Sequence, residues 1–159
     1  MKIKTIVDEV FQDFYKISML IGTCYCDFKC LREIGEDICI CQNSDIFNSP
    51  NIEIDNKKII ERFNQNNLTE AIIFGGLEPI SQFDEIKEFI SEFRKTNNND
   101  ILIYTGYYPE EINEEIKSLE KFTNIYFKFG RFIPNKPSKY DEILKINLSS
   151  DNQFGMKIA

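Results

Sequence analysis

Ser18-Met-Leu-Ile-Gly-Thr-Cys-Tyr-Cys-Asp-Phe-Lys-Cys30 joins an apolar run to a loop that places Cys24, Cys26 and Cys30 within seven positions. Ile17 to Gly22 reads as a strand buried on both faces, because the inner strands of a parallel sheet are short, nearly continuous apolar runs. The cysteines begin where that strand ends. Cys39 and Cys41 follow, so all five cysteines of the 159-residue chain fall between positions 24 and 41. Cysteines that only filled a core would be scattered, so this clustering points to chemistry rather than packing.

Outward from the loop, one pattern repeats. Asp55 caps a helix that runs to Asn66, with Ile59, Ile60 and Phe63 at helical spacing. Ala71 to Phe74 is a second apolar strand, broken by Gly75-Gly76. An amphipathic helix spans Phe83 to Arg94, with Phe83, Ile86, Phe89, Ile90 and Phe93 at steps of three and four. Ile101 to Tyr104 is a third strand; Pro109 opens a helix through about Lys121; Asn124 to Phe129 is a fourth strand, ending at Gly130. Ile143 to Leu148 is expected to add one more, followed by a short polar segment.

Strands alternating with helices at this length define an α/β fold with a parallel sheet and right-handed crossovers. Four units are too few to close an eight-stranded barrel, so the expectation is an open or half-barrel (βα)n sheet in a single domain over residues 1–159. Ligands of such sheets bind outside the carboxyl ends of the strands. The cysteine loop, Gly75 to Pro79, Tyr104 to Tyr107 and Gly130 all follow strand ends, and chain order alone gathers them around one mouth.

Composition narrows the function. Apolar residues make up 42% and charged residues 28%, with 14 Phe and 7 Tyr to build a core. The net charge of −7 argues against a broad nucleic-acid surface. No run is apolar enough to span a membrane, and acids lie within the first ten residues, so a cytoplasmic protein is expected. Histidine is absent, which removes the commonest general base and leaves sulfur and oxygen as metal donors. An odd number of cysteines in a reducing compartment points to metal or cluster ligation rather than disulfides.

Two arrangements are open on the residues alone. Cys24-x-Cys26 with Cys39-x-Cys41 could form a four-thiolate zinc centre, leaving Cys30 over. Cys26-x3-Cys30 with Cys41 could hold a four-iron cluster with one iron free of protein ligand. Gly75-Gly76 lets a strand-end backbone approach a ligand closely, Glu78 offers an acceptor for an ammonium group, and Pro79 fixes the turn.

On these residues the chain resembles radical S-adenosylmethionine (SAM) proteins, and among them the small activating proteins of anaerobic ribonucleotide reductase, from Ile6 to Gln153. The family pattern Cys-x3-Cys-x2-Cys followed by Asn is matched by Cys26, Cys30 and Cys41-Gln-Asn43, with the last interval lengthened to ten residues. Gly75-Gly76-Leu77-Glu78-Pro79 resembles the SAM-binding Gly-Gly-Glu-Pro with Leu77 added. Tyr104-Thr105-Gly-Tyr107 resembles the third-strand ending, and Ser149-Ser-Asp-Asn152-Gln153 the C-terminal Ser-Ser-Asn-Gln. The resemblance implies a 4Fe-4S cluster on Cys26, Cys30 and Cys41, with SAM held by Gly75, Gly76, Glu78, Pro79, Tyr104, Thr105, Ser149 and Asn152. It implies a glycyl radical enzyme as partner and a low-potential electron donor, flavodoxin or ferredoxin. Partner contacts are expected at the loop from Cys30 to Cys41 and at Arg131 and Phe132. Lys128 stands in a strand where related proteins often carry an acid. The alternatives are a non-catalytic iron–sulfur protein and a zinc-stabilised interaction module.

Overall fold

The computed structural model describes residues 1–159. The chain enters through β1 (Lys2–Ile3) and β2 (Thr5–Val10), then forms β3 (Ser18–Gly22) from the quoted apolar run. The cysteine segment carries short helices, α1 (Lys29–Arg32) and α2 (Ser44–Asn48), and β4 (Ile52–Glu53) pairs back on β1. Three units follow: α3 (Asn56–Gln65) leads to β5 (Ala71–Gly75), α4 (Phe83–Phe93) to β6 (Asp100–Tyr104), and α5 (Asn113–Leu119) to β7 (Ile125–Phe129). After these come β8 (Lys139–Asp141), β9 (Ile146–Leu148) and β10 (Phe154–Lys157).

Six strands make one open α/β sheet in the order β10-β7-β6-β5-β3-β2. The inner four are parallel, as the apolar runs require, while β2 and β10 close the edges in antiparallel pairing. Gly22 pairs with Gly75 and Tyr104 with Lys128, so the parallel strands end level and their loops emerge side by side.

The alternation of side chains across the sheet divides the core in two. Ile72, Phe74, Ile101, Ile103 and Phe127 face the helices and meet Ile59, Phe63, Ile86, Phe89 and Phe93. The rings interlock edge to face, Phe63 on Phe93 at 5.2 Å and Phe74 on Phe89 at 5.4 Å. Full burial of each such side chain stabilises the fold by about 1.5–3 kcal/mol. Asp55 accepts from Lys57 N and caps α3. The other face, Ala71, Ile73, Leu102 and Tyr126, has no helix over it. Phe14, Leu144 and Leu148 pack on it, and a cavity at the carboxyl ends of the strands opens beside them. No helix is long and apolar enough to cross a membrane.

Two expectations are corrected, and one strand is new. Ile143 to Leu148 is not a sheet strand: Lys145 turns at φ 55°, and β9 pairs with β8 in a separate hairpin while β10 fills the sheet edge. Pro109 does open a helical turn, but this ends at Glu111, and α5 starts only at Asn113 and stops at Leu119. The edge strand β2, with exposed and half-exposed residues throughout, had no apolar signature to announce it.

The hairpin is held by close approach to β10. Asp141 accepts from the backbone N–H groups of Ile143, Leu144 and Gly155, and a Cβ on Gly155 would stand 2.5 Å from Leu144 Cγ and 2.6 Å from Asp141 Oδ1. Gly155→Ala should therefore lower stability by about 1–3 kcal/mol, as overpacking of a closed core does. A denaturant midpoint unchanged from wild type would refute this packing.

Candidate functional site

The cysteine loop is fixed at its root. Thr23 donates to Gly75 O from both its N–H (2.8 Å) and its Oγ1 (3.1 Å), tying the end of β3 to the end of β5. Cys24 N donates to Gln82 Oε1 at 2.7 Å, and Gln82 Nε2 donates to Lys2 O. Cys24 is thus buried against the domain and turned into structure. Glu78 N donates to Tyr25 O at 2.8 Å, which lays the Gly75–Pro79 loop along the cysteine loop.

Beyond Cys26 the chain reverses at Phe28, which adopts φ 53°. That left-handed conformation is uncommon for a residue with a side chain and costs of order 1–3 kcal/mol. The buried Phe28 ring offsets it by packing edge to face on Phe47 at 4.9 Å, which draws α2 and the Cys41 segment against the loop. Lys4 Nζ secures the same segment through the carbonyls of Phe47 and Ser49.

Cys26 and Cys41 are presented in the same way, each sulfur accepting the N–H two residues on. Phe28 N reaches Cys26 Sγ at 3.3 Å, and Asn43 N reaches Cys41 Sγ at 3.4 Å. Such bonds favour a thiolate and tune a cluster bound to it. Burial opposes them, pushing the Cys26 thiol up to about 12 and the Cys30 thiol above its usual value, so a bound metal must itself drive ionisation. Cys39 is exposed, its N–H held by Asp37.

Cys26, Cys30 and Cys41 share one cavity of about 370 Å³ with Gly75, Gly76, Leu77 and Glu78. Cys24 and Cys39 do not line it, and no three His, Cys, Asp or Glu side chains converge as a single-ion site would require. A four-iron cluster makes no such demand, because each thiolate binds a separate iron. The donor set therefore fits a three-cysteine cluster, and the zinc tetrad of Cys24, Cys26, Cys39 and Cys41 is not assembled.

Gly76 supplies the close approach, with φ 81° and a Cβ position 3.3 Å from Gly22 Cα. The added Leu77 is absorbed as a buried residue of the cavity wall. Pro79 starts the helical turn Pro79–Gln82, capped by Glu78. The Glu78 carboxylate is buried, and desolvation raises its pKa despite three donors. Oε1 accepts from Thr105 Oγ1 (2.8 Å) and Ile80 N (3.0 Å), whereas Oε2 accepts only from Gly106 N (2.9 Å) and has a lone pair to spare.

Tyr104 and Thr105 line the cavity, but the Tyr104 hydroxyl is spent on Asp13 O at 2.6 Å, leaving its ring. Ser149 stands exposed at the rim. Asn152 lies outside the lining: its Nδ2 donates to Arg131 O and Tyr108 Oη, and the neighbouring Gln153 occupies the wall instead, held to Gly130 O. Sequence reading passed over Asp13, Leu20 and Ile73, which line the same space. Leu20 and Ile73 alternate along their strands with residues of the helix-facing core, a period-2 signal that could have found them. Burial lowers the Lys128 ammonium to about 8 at the cavity's far wall.

Behind the cysteines runs a lattice of ion pairs. Arg131 donates twice to Glu111, at 2.8 and 2.6 Å, and its Nε lies 2.7 Å from Glu33 Oε2. Lys29 donates to Glu111 at 2.5 Å, and Tyr107 Oη to Asp27 at 3.0 Å. Arg131 is therefore buried and engaged, not a projecting anchor for a partner, while Phe132 turns to the cavity.

Residues 18–154 match the family described as a 4Fe-4S single cluster domain, a span that includes all five cysteines and the Gly75–Pro79 loop. The chain belongs to this family of iron–sulfur proteins. No curated protein and no solved structure matched it.

Two outcomes follow from the geometry. After anaerobic reconstitution, replacing Cys26, Cys30 or Cys41 by Ala should remove most of the iron, whereas Cys24→Ala and Cys39→Ala should keep it; iron analysis that empties on Cys39→Ala alone would overturn the assignment. The second concerns acid. Arg131 foremost, with Lys29 and Tyr108 N, holds the Glu111 carboxyl down at about 2, against about 4.3 unfolded. A depressed folded value gives stability that is complete above the unfolded value and lost as pH falls through the folded one. Between pH 4.5 and 2 the cluster-free wild type should therefore lose stability more steeply than Glu111→Gln, and equal slopes in denaturant titrations would contradict it.

Proposed function

We propose that this iron–sulfur protein is a radical SAM enzyme of the activating type, which acts on a glycyl radical enzyme such as an anaerobic ribonucleotide reductase. One observation carries the reading: three cysteines suited to a cluster with an open iron and the Gly75–Glu78 strand end face the same cavity at the carboxyl edge of the parallel strands. When bound, the cluster and SAM supply one-electron cleavage of the sulfonium to methionine and a 5′-deoxyadenosyl radical.

The chain's own part is placement and exclusion of water. Glu78 Oε2 is available to an ammonium group beside the cluster, and its other contacts keep it from moving. The Tyr104 ring, Leu20 and Ile73 give an apolar wall that shields the reacting atoms. Hydrogen-atom abstraction needs no general base, which suits a chain without histidine. A macromolecular substrate is favoured because one sheet face lacks a helical cover and the segment that carries Cys30 and Cys41 also carries Ile34, Ile38, Ile40 and Phe47, each 40–45% exposed. Exposed apolar side chains grouped in this way suit a protein partner. A flavodoxin or ferredoxin would deliver the electron.

Reconstituted protein with SAM and a low-potential reductant should release 5′-deoxyadenosine. With an anaerobic ribonucleotide reductase present, a glycyl radical doublet should appear by electron paramagnetic resonance. Cleavage without that doublet would remove this partner, and iron-loaded protein that cleaves nothing would favour a non-catalytic iron–sulfur role.

A further inference from the structure

Lys128 is out of place in its strand. Around it β7 supplies Ile125, Tyr126, Phe127 and Phe129, all buried, yet Lys128 sends an ammonium group to the cavity from the sheet face that carries Ile73, Leu102 and Tyr104. The only other charged residue in the four parallel strands is Asp100, at the opposite end of the sheet, and it is paired: Lys16 Nζ lies 2.5 Å from its Oδ2. Lys128 has no such partner. None of the ion pairs in the molecule includes it. Its one acceptor is Gly130 O at 3.3 Å, and the Tyr104 ring centroid lies 5.6 Å away.

An ammonium carries three donors and is costly to hold away from bulk water without an anion. Glu78, the carboxylate facing the same space, does not come within ion-pair distance, and its oxygens are bound by Thr105, Ile80 and Gly106. The cavity thus has an acceptor with spare capacity on the β5 side and, across Tyr104, a cation with spare donors on the β7 side. A carboxylate and an ammonium on two walls of one cavity suit the ammonium and carboxylate of an amino-acid group.

Resting on the SAM reading above, we infer that Lys128 binds the carboxylate of the amino-acid ligand in this cavity. The site therefore selects for an intact α-amino acid end, not merely for a sulfonium nucleoside.

The test compares wild type, Lys128→Met and Lys128→Arg after anaerobic reconstitution, using SAM and decarboxylated SAM, which keeps the ammonium and sulfonium and lacks only the carboxylate. Losing one charge-assisted hydrogen bond to a buried anion should weaken SAM binding by Lys128→Met roughly ten- to hundredfold, as read by calorimetry. Decarboxylated SAM should bind wild type and Lys128→Met within about threefold of each other, and Lys128→Arg should recover part of the SAM affinity by keeping the charge. Iron content should stay at the wild-type level in both variants. In the cluster-free protein Lys128→Met should melt no lower than wild type, because an unpaired ammonium has been replaced by an apolar side chain of similar length.

Equal weakening toward both nucleosides would overturn the inference, and so would loss of iron or a lowered melting point, each of which would make Lys128 structural. SAM binding by Lys128→Met as tight as by wild type would remove this inference alone. Iron-loaded wild type that binds neither nucleoside would remove the proposed function and this inference together.

Discussion

A single buried glutamate, through its N–H and its carboxylate, joins the loops that follow three of the four parallel strands. Glu78 sits on the loop after β5, gives its own N–H to Tyr25 of the cysteine loop, and accepts from Thr105 and Gly106 after β6. Unpaired, such a group would cost several kcal/mol in a buried position. With three donors, two of them on the loop after β6, it instead fixes the spacing of the β5 and β6 ends, while the Glu78 N–H holds the cysteine loop beside them. The cavity takes its shape from this constraint: Thr23 and Gln82 anchor the root of the cysteine loop to the same framework, and Arg131 braces it from behind through Glu33 and Glu111.

The split between the two sheet faces explains why the site lies where it does. Helices α3, α4 and α5 cover one face, closing it with Ile59, Phe63, Phe89, Phe93 and Leu119. The other is covered only by the segment around Phe14 and the β8–β9 hairpin, whose Leu148 also lines the cavity. What remains is an apolar trough, open at the carboxyl ends of the strands, into which the cysteines descend from above. The fold therefore supplies the enclosure, and the loop between Cys26 and Cys41 supplies the chemistry.

Much of this could be read from the sequence because burial on both faces leaves an unmistakable run. Ile72, Ile73 and Phe74 are wholly buried, and β3, β5, β6 and β7 all fall where apolar stretches predicted them. Edges behave differently. Thr5 to Val10 mixes acids with half-exposed valines, and Phe154 to Lys157 is too short and too interrupted by Gly155 to announce itself. Ile143 to Leu148 misled because apolar residues continue through a tight turn, which a left-handed Lys145 makes and which periodicity cannot see. In the site, spacing singled out Cys26 and Cys30 and the Cys41-Gln-Asn43 context singled out Cys41, to which the structure adds the shared cavity and the Asn43 N–H bond that Cys39 lacks. The Arg131–Glu111–Glu33 lattice joins residues far apart in the chain and had no local signal at all.

The reversed backbone at Phe28 bears on how this sequence can drift. A left-handed φ excludes valine, isoleucine and threonine at that position, because a branched Cβ would collide with its own peptide. Glycine and asparagine suit the backbone better than phenylalanine does, yet neither could replace the ring that holds Phe47 and, with it, the approach of Cys41. Position 28 is thus under two selections that pull apart, one for backbone freedom and one for an aromatic ring. Exchange at 28 should be tolerated across generations only alongside compensating change at 47, which makes the two positions candidates for paired substitution among descendants of this chain.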